Sequence, residues 1–503
     1  MVLLIPLTAC TPVSPSPPDP FTVSVLYNDV ETAPFQKDWR ILEEYRKRWN
    51  ITLDVHLGDD KAYDVAIQQT FASGDIPDVI LKCWPDAMAG YANSGLLLPI
   101  SDYVDEMPYF RKYIQSHGLK AEIERLKGSN GKYHILPGYQ REIQTQQWIY
   151  RSDAFTANRQ KTPTTYDELF DSLVVLKKAY PDSTPITASW GGAHLLAMMG
   201  AGYGIPAGWA GTSAYDPGTD LWSYAPAMEA YRELYRFLNR CYAADLLDPA
   251  VFTQTNAEFL EKLVDGKALV TVTWVSSGFG TWNEQLRQNG ITDGTWAALP
   301  VPESTIGIRA LPAVDRFKKG LALSAKVVDK PYFKSLLAFL DWAVYSDEGM
   351  DLNTWGIEDL TYGDTSSGKT LLAEVKSPKN PLGTLDISKE FGINLLFNLG
   401  ENESFEDYKR PADIVSFLDR SWNAKETAKL NPQLKLGSDD IEVVRILMEA
   451  LTPYVDEAGK RFITGESNLE EDWSAYLREI EDRGYKTVET VWNGAWEKQR
   501  ASK

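Results

Sequence analysis

From Phe21 the chain alternates apolar and polar positions, Phe21-Thr22-Val23-Ser24-Val25-Leu26-Tyr27, which is the period-2 pattern of a half-buried strand. A helix then runs through Trp39, Leu42, Tyr45 and Trp49, and Ile51 to His56 forms a second strand. A further helix near Ala62–Phe71 leads through Ser73-Gly74-Asp75-Ile76-Pro77-Asp78 to a third strand, Val79-Ile80-Leu81. The order β-α-β-α-β predicts a parallel sheet covered by helices. Ligands of such sheets sit at the C-terminal ends of strands. Asn28 and Asp29 stand at one such end, Cys83 and Trp84 at another.

Gly131–Pro137 reads as a short strand, 138–142 as a loop, and Thr145–Tyr150 as the strand that leaves it. Thr165-Tyr166-Asp167-Glu168 has the form of a capping box, opening a helix to about Tyr180. Lys267–Trp274 is a buried strand ending in an aromatic, and Leu321–Ser324 another short strand. Asp329 and Pro331 start a helix whose Phe333, Leu336, Leu337, Leu340 and Val344 share one face. The last third is mostly helical, with a second capping box at Ser467–Glu470. Residues 187–224 depart from these patterns: eight glycines are interspersed with Trp190, Tyr203, Trp209, Tyr215, Trp222 and Tyr224. A binding surface and a loop capping its own domain both fit that mixture.

Ahead of the first strand, the apolar run Met1–Ala9 ends in Leu7-Thr8-Ala9-Cys10, and prolines crowd Thr11–Pro20. A small-residue cleavage site followed by cysteine reads as a lipoprotein signal, with Cys10 taking the lipid and the proline segment acting as a stiff tether. No Lys or Arg precedes the run. The remaining cysteines, Cys83 and Cys241, read as buried free thiols, since a chain of 503 residues needs no staple.

That length exceeds one compact core, so two or three lobes are expected. A net charge of −19 argues against nucleic acid, whose phosphates require Lys and Arg. Sixteen Trp and 25 Tyr exceed what a core needs. Their flat apolar faces and polar edges suit stacking on sugar rings.

Tests for catalytic and metal chemistry return little. Gly363-Asp364-Thr365-Ser366-Ser367-Gly368-Lys369-Thr370 matches the P-loop pattern, but no buried strand precedes it and Pro378 follows too soon for a long helix. A surface hairpin is the expected structure. The four histidines, His56, His117, His134 and His194, are scattered, with no metal-ligand spacing among them. Neither a metal nor a cofactor is implied.

Several motifs together resemble bacterial family 1 extracellular solute-binding proteins of ABC importers. Phe71-Ala72-Ser73-Gly74-Asp75-Ile76-Pro77-Asp78-Val79 is similar to the family's Ala-Ser-Gly-Asp-Leu-Pro-Asp signature. Tyr150-Arg151-Ser152-Asp153 with Thr162–Leu169, the block from Asp341-Trp342 to Tyr362, and Phe462-Ile463-Thr464-Gly465 resemble further shared runs. The match extends from about residue 21 to the end and looks nearest the branch that includes alginate-oligosaccharide-binding proteins. The resemblance implies an α/β periplasmic-binding-protein-like type II fold, with two α/β lobes, a hinge and a helical C-terminal part. It places 21–145 plus about 295–355 in the N-terminal lobe and 146–294 plus about 356–503 in the C-terminal lobe. Crossings would fall near 144–148, 275–295 and 355–400.

On this resemblance the chain is a lipid-anchored receptor on the extracellular face of a bacterial membrane, or in the periplasm of a Gram-negative cell. It would act as a monomer, handing an oligosaccharide to ABC permease subunits without catalysis. Trp274, Trp190 and Trp84 would stack on sugar, while Asn28, Asp29, Gln140 and Arg141 would set specificity, with Tyr139, Trp209 and Trp355 as further ligand-binding candidates. Each tryptophan has core burial as its alternative. The segment Tyr180–Pro185 is too poor in oxygen ligands for the calcium loop many relatives carry. Because the expected cleft loops offer mainly Arg141 and aromatics, a neutral oligosaccharide is favoured over alginate. A glycan-processing enzyme and a receptor for a non-sugar solute are the competing readings.

Overall fold

The computed structural model describes residues 18–501 except 129, 142–144, 276–278, 367, 378, 381, 411 and 424–425. Cys10 therefore lies outside the described residues. The strands are β1 (Phe21–Asp29), β2 (Ile51–Asp59), β3 (Val79–Cys83), β4 (Ile135–Tyr139), β5 (Gln146–Arg151), β6 (Ile186–Ala188), β7 (Ser213–Asp216) and β8 (Leu221–Tyr224). They continue with β9 (Val270–Trp274), β10 (Trp296–Ala298), β11 (Phe317–Leu323), β12 (Tyr362–Thr365) and β13 (Gly368–Leu371). One sheet has the order β2-β1-β3-β11-β4, and a second has β10-β5-β9-β6.

In the first sheet β1, β2 and β3 are parallel, as the alternating pattern predicts, and β11 pairs antiparallel with both β3 and β4. Strand β1 is buried on both faces from Val25 to Asn28 because helices cover the sheet on each side. The Walker-like segment forms the antiparallel hairpin β12–β13, with Tyr362 opposite Leu371. Its Lys369 is paired with Asp351.

Two large cores divide the chain. One gathers Val25, Tyr27, Trp39, Tyr45, Leu81, Leu136, Leu321 and Leu340. The other gathers Trp148, Leu173, Val270, Val272, Tyr235, Phe462 and Trp492. Their membership moves the lobe limits expected from sequence. Leu371, Val375, Ile387, Ile393, Leu396, Phe397, Leu399 and Phe405 pack in the first core, although 356–503 was assigned to the second lobe. Phe397 lies 5.1 Å from the ring of Phe339 and 5.7 Å from that of Tyr45. Conversely, Trp296, Leu299, Val301 and Leu311 pack in second-lobe clusters, although the return was expected near 295. The core memberships change between Tyr139 and Trp148, between Leu311 and Phe317, and between Phe405 and Ile414, which brackets the passages between lobes. The expected crossing at 275–295 is instead largely the helix Gly280–Gln288, whose Leu286 is buried in the second lobe.

Local signals were displaced by a residue in two places. Thr165 caps its helix by accepting from Glu168 N at 3.1 Å, but the Glu168 carboxylate reaches Thr164 rather than Thr165. The helix Leu469–Asp482 is capped by Asn468, not Ser467, through bonds from Glu470 N and Glu471 N. A complete capping box occurs at Thr255–Glu258. Each such cap contributes about 1 kcal/mol. Among the described residues no helix is long and apolar enough to cross a membrane.

Candidate functional site

Strand β9 is buried from Val270 to Thr273 and surfaces at Trp274. Parallel to it, β6 pairs Ala188 with Val272, so the chain beyond Ala188 emerges beside Trp274. Trp190 lies there with φ +60°, a left-handed conformation that costs a bulky side chain of order 1–3 kcal/mol. Gly191 and Gly192 follow and start the helix Gly192–Gly200. A Cβ on Gly192 would come within 2.5 Å of the Phe252 ring. Trp209 sits on the short turn Gly208–Ala210. There Gly208 has φ +52°, and an added Cβ would lie 2.0 Å from the carbonyl oxygen of Ala193. The glycines of the 187–224 segment thus allow two tryptophan-bearing loops to close against one helix end.

The result is a three-sided aromatic cluster. Ring centroids of Trp190 and Trp274 are 6.1 Å apart, those of Trp190 and Trp209 6.2 Å, and those of Trp209 and Trp274 6.2 Å. The interplanar angles are 77°, 60° and 43° respectively, so the three faces point in different directions. Trp190 is 57% and Trp209 50% exposed, which is unusual for the largest apolar side chain. Beneath them His194 is fully buried, stacked on Trp274 at 4.9 Å and 14°, and 4.9 Å from Trp209. Burial lowers its pKa to about 4, against a smaller opposing effect of its hydrogen bond to the Ser189 backbone. The imidazole is therefore neutral at physiological pH.

In the other lobe, Trp84 follows β3 and is 47% exposed. The ammonium of Lys319 lies 5.6 Å above its ring, within cation–π range. Register ties the two aromatic ends to one crossing. Gly320 of β11 pairs with Cys83, and Phe317 with Tyr139, where the first crossing leaves β4. On the far side of that crossing Gln146 pairs with Trp274. Both aromatic ends flank the same passage of chain between the lobes.

The other candidate residues have different surroundings. Trp355 is 1% exposed and packs on Phe405, Tyr408 and Tyr362, so it is a core residue. Tyr139 belongs to β4 rather than a loop and is buried against Tyr113 and His117. Asn28 is buried and donates to Asp60 at 2.8 Å, while Asp29 accepts from Phe35 N at 2.7 Å. The Gln140 amide donates to the carbonyl of Asp315. Arg141 donates to Glu401 and to Asp407, each at 2.7 Å. These polar groups serve the turns and crossings in which they stand. Within 187–224 the aromatics divide: Tyr203, Trp222 and Tyr224 are core, while Trp190 and Trp209 face outward. Cys83 and Cys241 are free and buried in separate lobes.

His194, Lys319 and Glu401 were not anticipated at the site. The sequence marks His194 only as one of four scattered histidines; its position four residues after Trp190 in a glycine-rich run is the available signal. A cavity of about 260 Å³ lies along the helix Pro85–Asn93 beneath the segment 433–436, and none of the tryptophans lines it.

The fold has extensive structural counterparts. The alginate-binding protein AlgQ2, solved without calcium ion, matches with TM-score 0.80 and 17% identity, over 96% of this chain and 99% of that one. The Streptococcus pneumoniae ABC-transporter substrate-binding protein FusA, in complex with kestose, matches with TM-score 0.74 and 15% identity, over 96% and 100%. An HMO-binding, ABC-transporter-associated solute-binding protein from Bifidobacterium longum infantis matches with TM-score 0.72 and 16% identity, over 95% and 99%. These likenesses establish the two-lobed type II fold. No curated protein matches the sequence. The profile described as "Bacterial extracellular solute-binding protein" matches residues 29–344, well over half of the chain, and the chain belongs to that family.

Proposed function

We propose that this protein is the lipid-anchored receptor of an ABC importer, capturing a neutral oligosaccharide between its lobes and delivering it to permease subunits. The observation that carries the reading is the cluster of Trp190, Trp209 and Trp274, three rings with centroids no more than 6.2 Å apart, two beside the ends of the paired strands β6 and β9 and one on the turn Gly208–Ala210. Exposed tryptophans gathered in this way match the stacking faces of sugar rings. Membership of an extracellular solute-binding family supports the receptor role, as do fold relatives described as binding alginate, kestose and HMO. Neutrality is supported by Arg141, whose guanidinium is already matched by two carboxylates. Cys10 is the proposed lipid-bearing residue, and the protein acts as a monomer outside the membrane.

Titration calorimetry against a panel of oligosaccharides tests the proposal, with a product assay on every ligand that binds. Saturable binding without turnover is the expected result; cleavage of the ligand assigns a glycan-processing enzyme instead. Labelling of the full chain with fatty acid in a bacterial host, lost in Cys10→Ser, tests the anchor. One observation favours a second reading, an acidic sugar unit at Trp84. Lys319 beside that ring makes no ion pair with a described carboxylate. A preference for acidic over neutral ligands that disappears in Lys319→Met selects that reading.

A further inference from the structure

We infer that His194 is a positioning residue of the aromatic site, holding the three tryptophan-bearing segments in one arrangement before ligand arrives. The inference rests on the ligand-binding reading of the cluster. His194 Nδ1 lies 2.9 Å from the carbonyl oxygen of Ser189 and 3.2 Å from its hydroxyl. A carbonyl only accepts, so Nδ1 carries the proton and Nε2 is a bare lone pair. The Ser189 hydroxyl in turn lies 3.4 Å from Thr273 Oγ1. Ser189 precedes Trp190 and Thr273 precedes Trp274, so one buried polar chain links two of the segments. The imidazole face supplies the third link through its ring contacts with Trp209 and Trp274.

Nothing about stability alone calls for a histidine here. Its Nε2 is buried without a partner, which an apolar ring of similar shape would avoid. What the compact imidazole combines is a flat face for two indoles and an edge donor for the Ser189 carbonyl. Held this way, the tryptophans do not have to be ordered by the ligand, and affinity gains what that ordering would otherwise cost.

Two substitutions separate the two contributions. His194→Asn keeps an amide donor near the Nδ1 position and removes the ring; His194→Phe keeps the ring and removes the donor. The near-ultraviolet circular dichroism of the ligand-free protein reports the mutual orientation of the indoles. We expect both variants to change that spectrum, His194→Asn more, while retaining wild-type far-ultraviolet signal. Oligosaccharide affinity should fall roughly tenfold in His194→Asn, the size of one lost aromatic contact, and less in His194→Phe. Unchanged near-ultraviolet spectra in both variants overturn the inference, whatever the ligand. Losses of affinity that merely track losses in Tm, with spectra intact, overturn it too. If the wild-type protein binds no oligosaccharide but the spectra change as expected, the receptor reading fails and the positioning role stands.

Discussion

The two lobes offer unequal surfaces to the passage between them. The second lobe presents three tryptophans on glycine-shaped loops, braced from below by a buried histidine. The first presents Trp84, with Lys319 over its ring, while Asn28 donates to Asp60, Asp29 accepts from Phe35 N, Gln140 donates to Asp315 and Arg141 donates to Glu401. Under the proposed function this difference divides the labour: one lobe would hold a ligand by apolar contact, and the other would close over it and add discrimination.

Trp274→Ala probes that division most severely. It should lower oligosaccharide affinity by about 100-fold, or roughly 3 kcal/mol, the range of a central aromatic anchor. Affinity unchanged in calorimetry would remove the second lobe from its dominant place. Of similar size is a contrast in pH dependence. Because burial lowers the pKa of His194 to about 4, the stability of the fold is undiminished by this group above the ordinary imidazole value of 6.5. It declines as pH falls through 6.5 towards 4, by on the order of 3 kcal/mol in all. Asp341 of the first lobe runs the other way. Burial raises its pKa to about 6, outweighing the bonds it accepts from Tyr109 N and Phe110 N. Its contribution is therefore greatest below the ordinary 3.8 and is lost as pH rises through 6. Denaturation midpoints between pH 4 and 6 should rise more steeply with pH in Asp341→Asn and less steeply in His194→Phe.

Gly208→Val should cost about 2 kcal/mol or more, because its Cβ would overlap the Ala193 carbonyl at a left-handed backbone position. Urea denaturation measures it, and a wild-type midpoint would mean that the Trp209 loop is free to shift. A smaller effect is expected of Trp84→Ala, a roughly three- to tenfold loss of affinity by the same calorimetry. A loss equal to that of Trp274→Ala would erase the asymmetry. Removal of residues 1–20 should leave affinity unchanged and cost little in melting temperature, the loss being the bond that Asn50 donates to the Pro18 carbonyl.

Much of this architecture is legible in the sequence, and the failures have a common cause. Alternation and helical spacing identify which face of an element is buried, so β1, β3 and β9 were found with their exposed ends at Trp84 and Trp274. They do not identify what the face is buried against. Phe397 and Leu399 carry the same apolar signal whichever lobe they join, and only the packing on Phe339 and Tyr45 decides it. Trp355 shows the same limit: a tryptophan in a shared motif is as suited to a core as to a sugar. His194 was missed for a different reason. Its role depends on rings 15 and 80 residues away along the chain, a spacing no local pattern records.

The close approach of Gly208 to the Ala193 carbonyl bears on how the proposed receptor could be re-targeted. With no room for even a methyl group, the backbone that carries Trp209 is pinned to the helix Gly192–Gly200, and loop length is a poor variable for design. The indoles at 190 and 209 are the outward-facing parts of that assembly. A library that varies those two side chains over an unaltered frame would explore new ligands while sparing the scaffold.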